Sequence, residues 1–96
     1  MDKAEIINRI NGRKAELKGL GVTSLALFGS RARGSASENS DADFLVRFDG
    51  EPGFDRYMDT KLLLETALGI RVDLVTENAL RHEMRATVTA DLLQVA

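Results

Sequence analysis

Apolar residues near the start of the chain recur close to the helical period and predict a helix over about residues 3 to 18. Asp2 and Glu5, three residues apart, form a capping pair at the start of this helix. Two glycine positions end the pattern, because glycine is a weak helix former. The apolar residues and the two glycines are Ile6, Ile7, Ile10, Leu17, Gly19 and Gly21.

The next two apolar segments predict β-strands. Residues 22 to 28 are apolar on both faces, as expected of a central strand that is covered on each side. Residues 31 to 40 are mostly small or polar, and they predict one helical turn and a loop. Residues 42 to 48 then alternate between two faces. One face holds Ala42, Phe44, Val46 and Phe48, and the other holds Asp41, Asp43, Leu45 and Arg47.

The second half of the chain predicts a helix, a strand and a further helix. After a turn over residues 49 to 53, apolar residues at helical spacing extend from Phe54 to Leu68, and Gly69 follows as the residue after the helix. A third strand covers residues 71 to 76. The final helix is predicted from Leu80, Met84, Val88 and Leu92, which recur every four residues after Thr76 or Asn78. These elements predict an α/β (α+β) fold with a small mixed sheet of at least three strands flanked by helices.

Composition limits the number of domains and the classes of partner. With 96 residues, 44% of them apolar and 29% charged, the chain is predicted to form a single domain over residues 1–96. Thirteen Lys and Arg against fifteen Asp and Glu leave no positive surplus for general nucleic-acid binding. The absence of cysteine excludes disulfides and thiolate metal sites. No signal peptide or membrane-spanning run is found, so we predict a cytoplasmic protein without a membrane partner.

A glycine and a serine follow the first predicted strand directly. Gly29 has no side chain where the strand turns, so a ligand can approach the backbone, and the amides of a following helix favour an anion such as phosphate. Ser30 adds a hydroxyl donor. The alternative interpretation of such a pair is a bare turn between a strand and a helix, without a ligand.

Three aspartates lie at or within the second and third predicted strands. Asp41 and Asp43, two residues apart, point the same way and can reach one cation or a close pair of cations. The alternative is that they are turn and strand-end residues. Asp73 interrupts an apolar strand and needs a partner there, which is either Arg71 or Arg47 in a structural ion pair or a metal shared with the other two aspartates.

The three aspartates together favour a metal site more than each does alone. Neighbouring carboxylates repel one another unless a cation neutralises them. Oxygen ligands select Mg²⁺ or Mn²⁺ rather than zinc. His82, the single histidine, lies in the predicted final helix away from these aspartates, and zinc sites normally use several His or Cys ligands. We therefore predict that Asp41, Asp43 and Asp73 bind hard divalent cations and that His82 has a surface role.

Two motifs in the chain resemble those of a known enzyme family. Residues 29 to 34, GSRARG, and residues 40 to 46, SDADFLV, look like the glycine-serine and aspartate-x-aspartate signature of the DNA polymerase β-like nucleotidyltransferases. The resemblance is greatest to the minimal nucleotidyltransferases, short proteins often found as antitoxins beside HEPN-domain toxins. The order of helices and strands extends the resemblance over most of the chain. Ala42 and Phe44 stand where the family more often has larger aliphatic residues, and the carboxyl-terminal stretch matches least well.

The resemblance implies a polymerase β-like nucleotidyltransferase fold and a role for each residue of the motifs. Asp41 and Asp43 are expected to hold two Mg²⁺ ions, with Mn²⁺ as the alternative metal, and Asp73 to bind the catalytic one, so that all three aspartates are catalytic. The residues expected to bind the nucleotide are Gly29, Ser30, Arg33 and Ser40. Among these, Gly29 and Ser30 are expected to cradle the β and γ phosphates, and Arg33 to neutralise the leaving pyrophosphate. Arg31 is a second candidate for that last role.

The resemblance also implies a reaction and a partner. The expected reaction transfers AMP from ATP to a tyrosine hydroxyl of a HEPN toxin, which the chain thereby silences as an antitoxin. The chain has little room for an acceptor pocket of its own, so the acceptor is expected to arrive on that partner. Two alternatives remain open: an antitoxin that neutralises its toxin by binding alone, and nucleotidyl transfer to tRNA or to a small molecule such as an aminoglycoside.

Overall fold

The computed structural model describes residues 1–37, 40–77 and 93–95. The elements, in chain order, are α1 Lys3–Asn11, α2 Lys14–Gly19, β1 Val22–Phe28, α3 Ser30–Arg33, β2 Ala42–Phe48, α4 Gly53–Leu68, β3 Val72–Thr76 and β4 Leu93–Gln94. None of the described helices is long and apolar enough to cross a membrane. The predicted final helix and His82 lie within residues 78 to 92, outside the described residues.

The amino-terminal segment forms two helices, so the prediction of one continuous helix was wrong. Gly12 and Arg13 separate α1 from α2, and Arg13 has a non-helical backbone with φ −117° and ψ 12°. Gly12 accounts for the break, because a glycine inside a helix has a large entropic cost. The predicted cap at the start is confirmed, since the Glu5 amide donates to Asp2 Oδ1 over 2.9 Å.

The four strands form one mixed sheet in the order β3-β2-β1-β4. β1 pairs antiparallel with β2 and with β4, whereas β2 and β3 are parallel. The predicted α/β (α+β) class, with a mixed sheet of at least three strands, is confirmed. β4 was not predicted from the sequence, because a two-residue strand has no periodicity of its own.

The alternation in β2 separates the core from the opposite face of the sheet. Ala42, Phe44 and Val46 are buried, and they pack with residues of α1, α2 and α4 in one apolar cluster. Burying a side chain the size of Phe44 stabilises the fold by about 1.5–3 kcal/mol. Asp43, on the other face of β2, is only half-buried. One face of the sheet therefore holds the fold together, and the other carries the charged side chains.

Helix α4 connects the parallel strands β2 and β3 and fixes where β3 begins. It ends at Leu68, and Gly69 follows with a left-handed φ of 72°, both as predicted. Glu65 Oε2 accepts a hydrogen bond of 3.0 Å from the Val72 amide, the first residue of β3. The Ala42 amide, the first of β2, donates to the Arg71 carbonyl over 2.9 Å. The two parallel strands therefore begin side by side.

Candidate active site

Two of the predicted site aspartates face each other across neighbouring strands. In the parallel pairing of β2 with β3, Asp43 lies opposite Asp73. In the antiparallel pairing with β1, Asp43 lies opposite Phe28, which immediately precedes Gly29. The start of β2, the start of β3 and the end of β1 therefore meet at one edge of the sheet, and Asp41 lies just before β2 at the same edge.

Gly29 and Asp43 are in direct contact at this edge. Gly29 has φ 76° and ψ −157°, a backbone conformation that is accessible almost only to glycine. A Cβ atom at this position would overlap Asp43 Oδ2 and would lie 3.3 Å from Asp43 Cγ. The sequence predicted that a ligand approaches the backbone at Gly29. The structure shows that the Asp43 carboxylate itself occupies the space that a side chain would fill.

The electrostatic environment of Asp43 disfavours its charged form. Burial raises the pKa of the Asp43 carboxyl above its ordinary value, and the negative charges of Asp73 and Asp41 raise it further. The Arg33 guanidinium acts in the opposite direction and lowers the pKa. Mutual repulsion of carboxylates is the property that a bound cation relieves. Asp73, Asp41 and Arg33 are therefore each close enough to Asp43 to affect its charge.

Without divalent cations, we expect the stability of the protein to fall as the pH rises through the pKa of Asp43. Because this pKa is higher in the folded state than in the unfolded state, the stabilising contribution of protonated Asp43 is complete below the unfolded value and is lost above the folded one. Thermal unfolding in a chelator, from about pH 4 to pH 7, measures the slope. Asp43→Asn should flatten it, whereas Asp59→Asn, on the exposed side of α4, should not. Equal slopes in the wild type and Asp43→Asn would contradict the assignment.

Arg31 occupies a different place from the one expected for a pyrophosphate ligand. Its side chain is buried, with an exposed fraction of 6%. Its Nε and Nη2 atoms donate to the Ser40 carbonyl over 3.0 and 2.6 Å, and Nη1 donates to the Met1 carbonyl over 3.5 Å. The guanidinium is thus bound to backbone carbonyls at Ser40 and Met1. The expectation that Arg31 neutralises pyrophosphate does not fit these contacts.

The remaining residues predicted to bind nucleotide lie around the same edge of the sheet. Ser30 is the first residue of the short helix α3, directly after Gly29. Arg33 is the last residue of that helix, and it is exposed. Ser40 lies just before Asp41, and its Oγ accepts a hydrogen bond of 3.0 Å from the Ser37 amide. Their roles toward a nucleotide stay predictions.

The alternative partner for Asp73, a structural ion pair with Arg47 or Arg71, is not found among the described residues. Arg47 forms an exposed ion pair with Glu77, with N–O distances of 2.7 and 3.1 Å. In residues 1–37, 40–77 and 93–95, no salt bridge joins Asp73 to Arg47 or Arg71. Asp73 is exposed on its strand and faces Asp43. The residue opposite Asp73 in the neighbouring strand therefore carries another carboxylate.

The chain matches an established enzyme family along nearly its whole length. The model of the nucleotidyltransferase domain matches residues 7–94. The chain belongs to this nucleotidyltransferase family. The match includes the Gly29 turn and all three aspartates, and it confirms the family that the two motifs resemble.

Relatives and solved structures agree with this assignment. This nucleotidyltransferase is 37% identical over 92 residues to protein adenylyltransferase MntA of Thermococcus cleftensis, which covers 95% of this chain and 93% of that protein. Its fold is similar to a solved structure described provisionally as a minimal nucleotidyltransferase, with a TM-score of 0.83, 34% identity, and coverage of 97% of this chain and 95% of that one.

Two solved toxin-antitoxin complexes share the fold of this nucleotidyltransferase at lower identity. One contains AMP-PNP, and the match has a TM-score of 0.75 with 24% identity, covering 94% of this chain and 72% of the other. The other is a tri-AMPylated HEPN toxin of Shewanella oneidensis bound to its MNT antitoxin, with a TM-score of 0.66 and 20% identity, covering 92% and 69%. At these identities the two complexes show a common fold alone.

The donor groups of the nucleotidyltransferase site fit a hard divalent cation in chemistry and charge. Asp41, Asp43 and Asp73 supply only oxygen atoms, the ligands that Mg²⁺ and Mn²⁺ prefer. Within the described part of the chain, however, no three acidic or histidine side chains are arranged so that they could hold a metal ion by themselves. Mg²⁺ sites usually keep waters and are completed by substrate phosphates. The aspartates would therefore supply only part of a cation site, and their role as metal ligands stays a prediction.

A groove of about 730 Å³ lies at the other end of β2 and β3 from the aspartates. Its lining includes Phe48, Phe54, Tyr57 and Thr76, but none of the three aspartates and no residue of the Gly29 turn. A groove that contains neither the three aspartates nor the Gly29 turn lacks the residues that the family motifs assign to nucleotidyl transfer. The location of the chemistry at the three aspartates stays a prediction, and this groove offers no competing set of the predicted residues.

Proposed function

We propose that the chain is a Mg²⁺-dependent protein adenylyltransferase that transfers AMP from ATP to a tyrosine hydroxyl of a HEPN toxin and so acts as its antitoxin. The observation that carries this proposal is the pairing of Asp43 with Asp73 in adjacent parallel strands, beside Asp41 and the Gly29 turn. Family membership supplies the class of reaction. The site supplies the carboxylates that this class of reaction needs.

The relatives support the finer points of the proposal. A protein named protein adenylyltransferase aligns with 95% of this chain, which supports a protein acceptor. The solved toxin-antitoxin complex with AMP-PNP supports an ATP-like donor, and the tri-AMPylated HEPN toxin supports a HEPN partner. ATP as the donor is consistent with the cytoplasmic location that we propose.

In the proposed reaction, the acceptor hydroxyl oxygen attacks the α phosphorus of ATP. A phosphorus–oxygen bond forms to the acceptor, the bond from the α phosphorus to the bridging oxygen breaks, and pyrophosphate leaves with that electron pair while the hydroxyl proton is released. Two divalent cations would stabilise the entering and leaving oxygens. Asp41 and Asp43 would hold both cations, and Asp73 would bind the one near the acceptor.

The other residues of the chain would bind and orient the nucleotide. Gly29 and Ser30 would present backbone amides and a hydroxyl to the β and γ phosphates. Arg33 is exposed next to Asp43, so its guanidinium would pair with the departing pyrophosphate. Ser40 would support the nucleotide from the loop before Asp41. Asp73 is more exposed than Asp43, so the acceptor would approach from the side of β3.

Intact mass measurement of the partner tests this function directly. The chain is incubated with a candidate HEPN-domain toxin, ATP and Mg²⁺, and we expect the toxin to gain the mass of one or more adenylyl groups. Replacing ATP with α,β-methylene ATP, which cannot be cleaved at the reacting bond, should prevent the gain. If the partner is inhibited without any change in its mass, the chain is an antitoxin that acts by binding alone.

A further inference from the structure

Arg31 is a buried cation in a protein whose other described arginines are mostly exposed at the surface. Only 6% of its side chain is exposed. Within the described residues its partners are two backbone carbonyls, those of Ser40 and Met1, and no carboxylate. Burying a guanidinium is costly unless its donors are hydrogen-bonded. Arg31 is therefore buried, despite this energetic cost, next to Ser40, the residue directly before Asp41.

The Ser40 carbonyl is part of the peptide bond that connects Ser40 to Asp41. Arg31 donates twice to this oxygen, at 3.0 and 2.6 Å. On the other side of Asp41, the Ala42 amide is bound to the Arg71 carbonyl at 2.9 Å. The peptide groups on both sides of Asp41 are therefore fixed, and the direction of its side chain is limited accordingly.

We propose that Arg31 is a positioning residue that holds the loop before β2, so that Asp41 and Asp43 can share divalent cations. The proposal rests on the function proposed above. A planar guanidinium directs two N–H groups to one oxygen in a fixed geometry, whereas a lysine ammonium lacks this fixed fork. Arginine therefore fills this role fully, and lysine would fill it only in part.

Loss of Arg31 should weaken cation binding more than it weakens nucleotide binding. Groups that orient metal ligands without touching the metal typically change metal affinity or activity by about 10- to 100-fold when they are mutated. We expect Arg31→Met to lower the affinity for Mn²⁺ by about that factor and to lower kcat for AMP transfer, with the KM for ATP changed much less. Arg31→Lys should recover part of the affinity, because it keeps the charge and at least one donor.

The test compares these two variants with Arg9→Met in the full chain. Arg9 is the control, since its Nη1 also donates to a backbone carbonyl, that of Leu68, over 3.2 Å, while its Nη2 pairs with Glu5 rather than with the loop before β2. Electron paramagnetic resonance counts free Mn²⁺ in the presence of α,β-methylene ATP, and thermal unfolding measures stability in parallel. We expect Arg9→Met to lower the Tm while its Mn²⁺ affinity stays within about twofold of the wild type.

Each outcome decides the proposal. Weaker Mn²⁺ binding by Arg31→Met with partial recovery in Arg31→Lys supports it. Wild-type Mn²⁺ affinity in Arg31→Met, or a lower Tm alone as in the control, overturns it. If neither Arg31 variant folds, Arg31 contributes to the stability of the fold alone, and the proposed positioning role is overturned. If the wild type itself neither binds Mn²⁺ with the analogue nor transfers AMP, the proposed function fails, and the role of Arg31 fails with it.

Discussion

Asp43→Asn should lower the rate of AMP transfer at least about a thousandfold, which corresponds to about 4 kcal/mol of transition-state stabilisation. Asp43 is the central member of the site, because it faces Asp73 across the parallel strands and contacts Gly29 on the other side. Asparagine keeps the shape of the side chain but removes the charge that a divalent cation requires. The loss should therefore appear in the rate without a change of fold.

The same substitution should leave the free energy of unfolding unchanged or raise it when no cation is present. Burial and the charges of Asp73 and Asp41 both raise the pKa of Asp43, so its ionised form is held in an unfavourable environment. Residues arranged for function commonly reduce stability in this way. Initial rates with α-labelled ATP and thermal unfolding in a chelator give the two values, and Asp59→Asn on α4 is the control. Undiminished transfer by Asp43→Asn would refute the metal assignment.

Gly29→Ala should also inactivate the enzyme, but with a loss of stability. Its φ of 76° with ψ −157° costs a residue with a Cβ about 1–3 kcal/mol. The new methyl group would also overlap Asp43 Oδ2, so the carboxylate has to move. A displacement of about 1 Å at a reacting centre can cost about a hundredfold in rate. We expect at least that reduction in AMP transfer, together with a lower Tm.

Gly34→Ala separates the two effects of the Gly29 substitution. Gly34 also has a positive φ, 80°, but a Cβ there would have no neighbour within 4 Å. This control should lose stability from backbone strain, yet keep most of its rate, because nothing displaces Asp43. If Gly34→Ala loses as much activity as Gly29→Ala, strain in the loop rather than contact with the carboxylate explains the effect, and the inferred role of Gly29 is wrong.

The faces of the strands could be predicted from the sequence because alternation has a period of two and one face is buried. The pattern of β2 put Phe44 in the core and Asp43 on the other face, as the structure shows. The pairing of Asp43 with Asp73 could not be predicted in this way, since it depends on which strands are neighbours and on their register. For that step the motifs and their family resemblance were needed.

Other features left no signal that periodicity could detect. The break at Gly12 depends on one glycine in an otherwise helical pattern, and an isolated glycine is often tolerated. Arg31 is buried and bound to the Ser40 carbonyl nine residues later, a contact that no periodic pattern within one element can predict. Arginine side chains are usually exposed, so the residue type alone favoured an exposed position for Arg31.

Asp73 is exposed on β3, an edge strand of the sheet that the described residues form, and this position bears on how such a small enzyme selects its target. In the proposed reaction, an acceptor that reaches Asp73 meets an exposed side chain rather than one buried in a pocket. Discrimination then has to come from how the two proteins dock and from the distance that a protruding side chain can reach. We expect the enzyme to recognise the surface of its target protein where the two proteins dock, rather than the chemical identity of the group that it modifies.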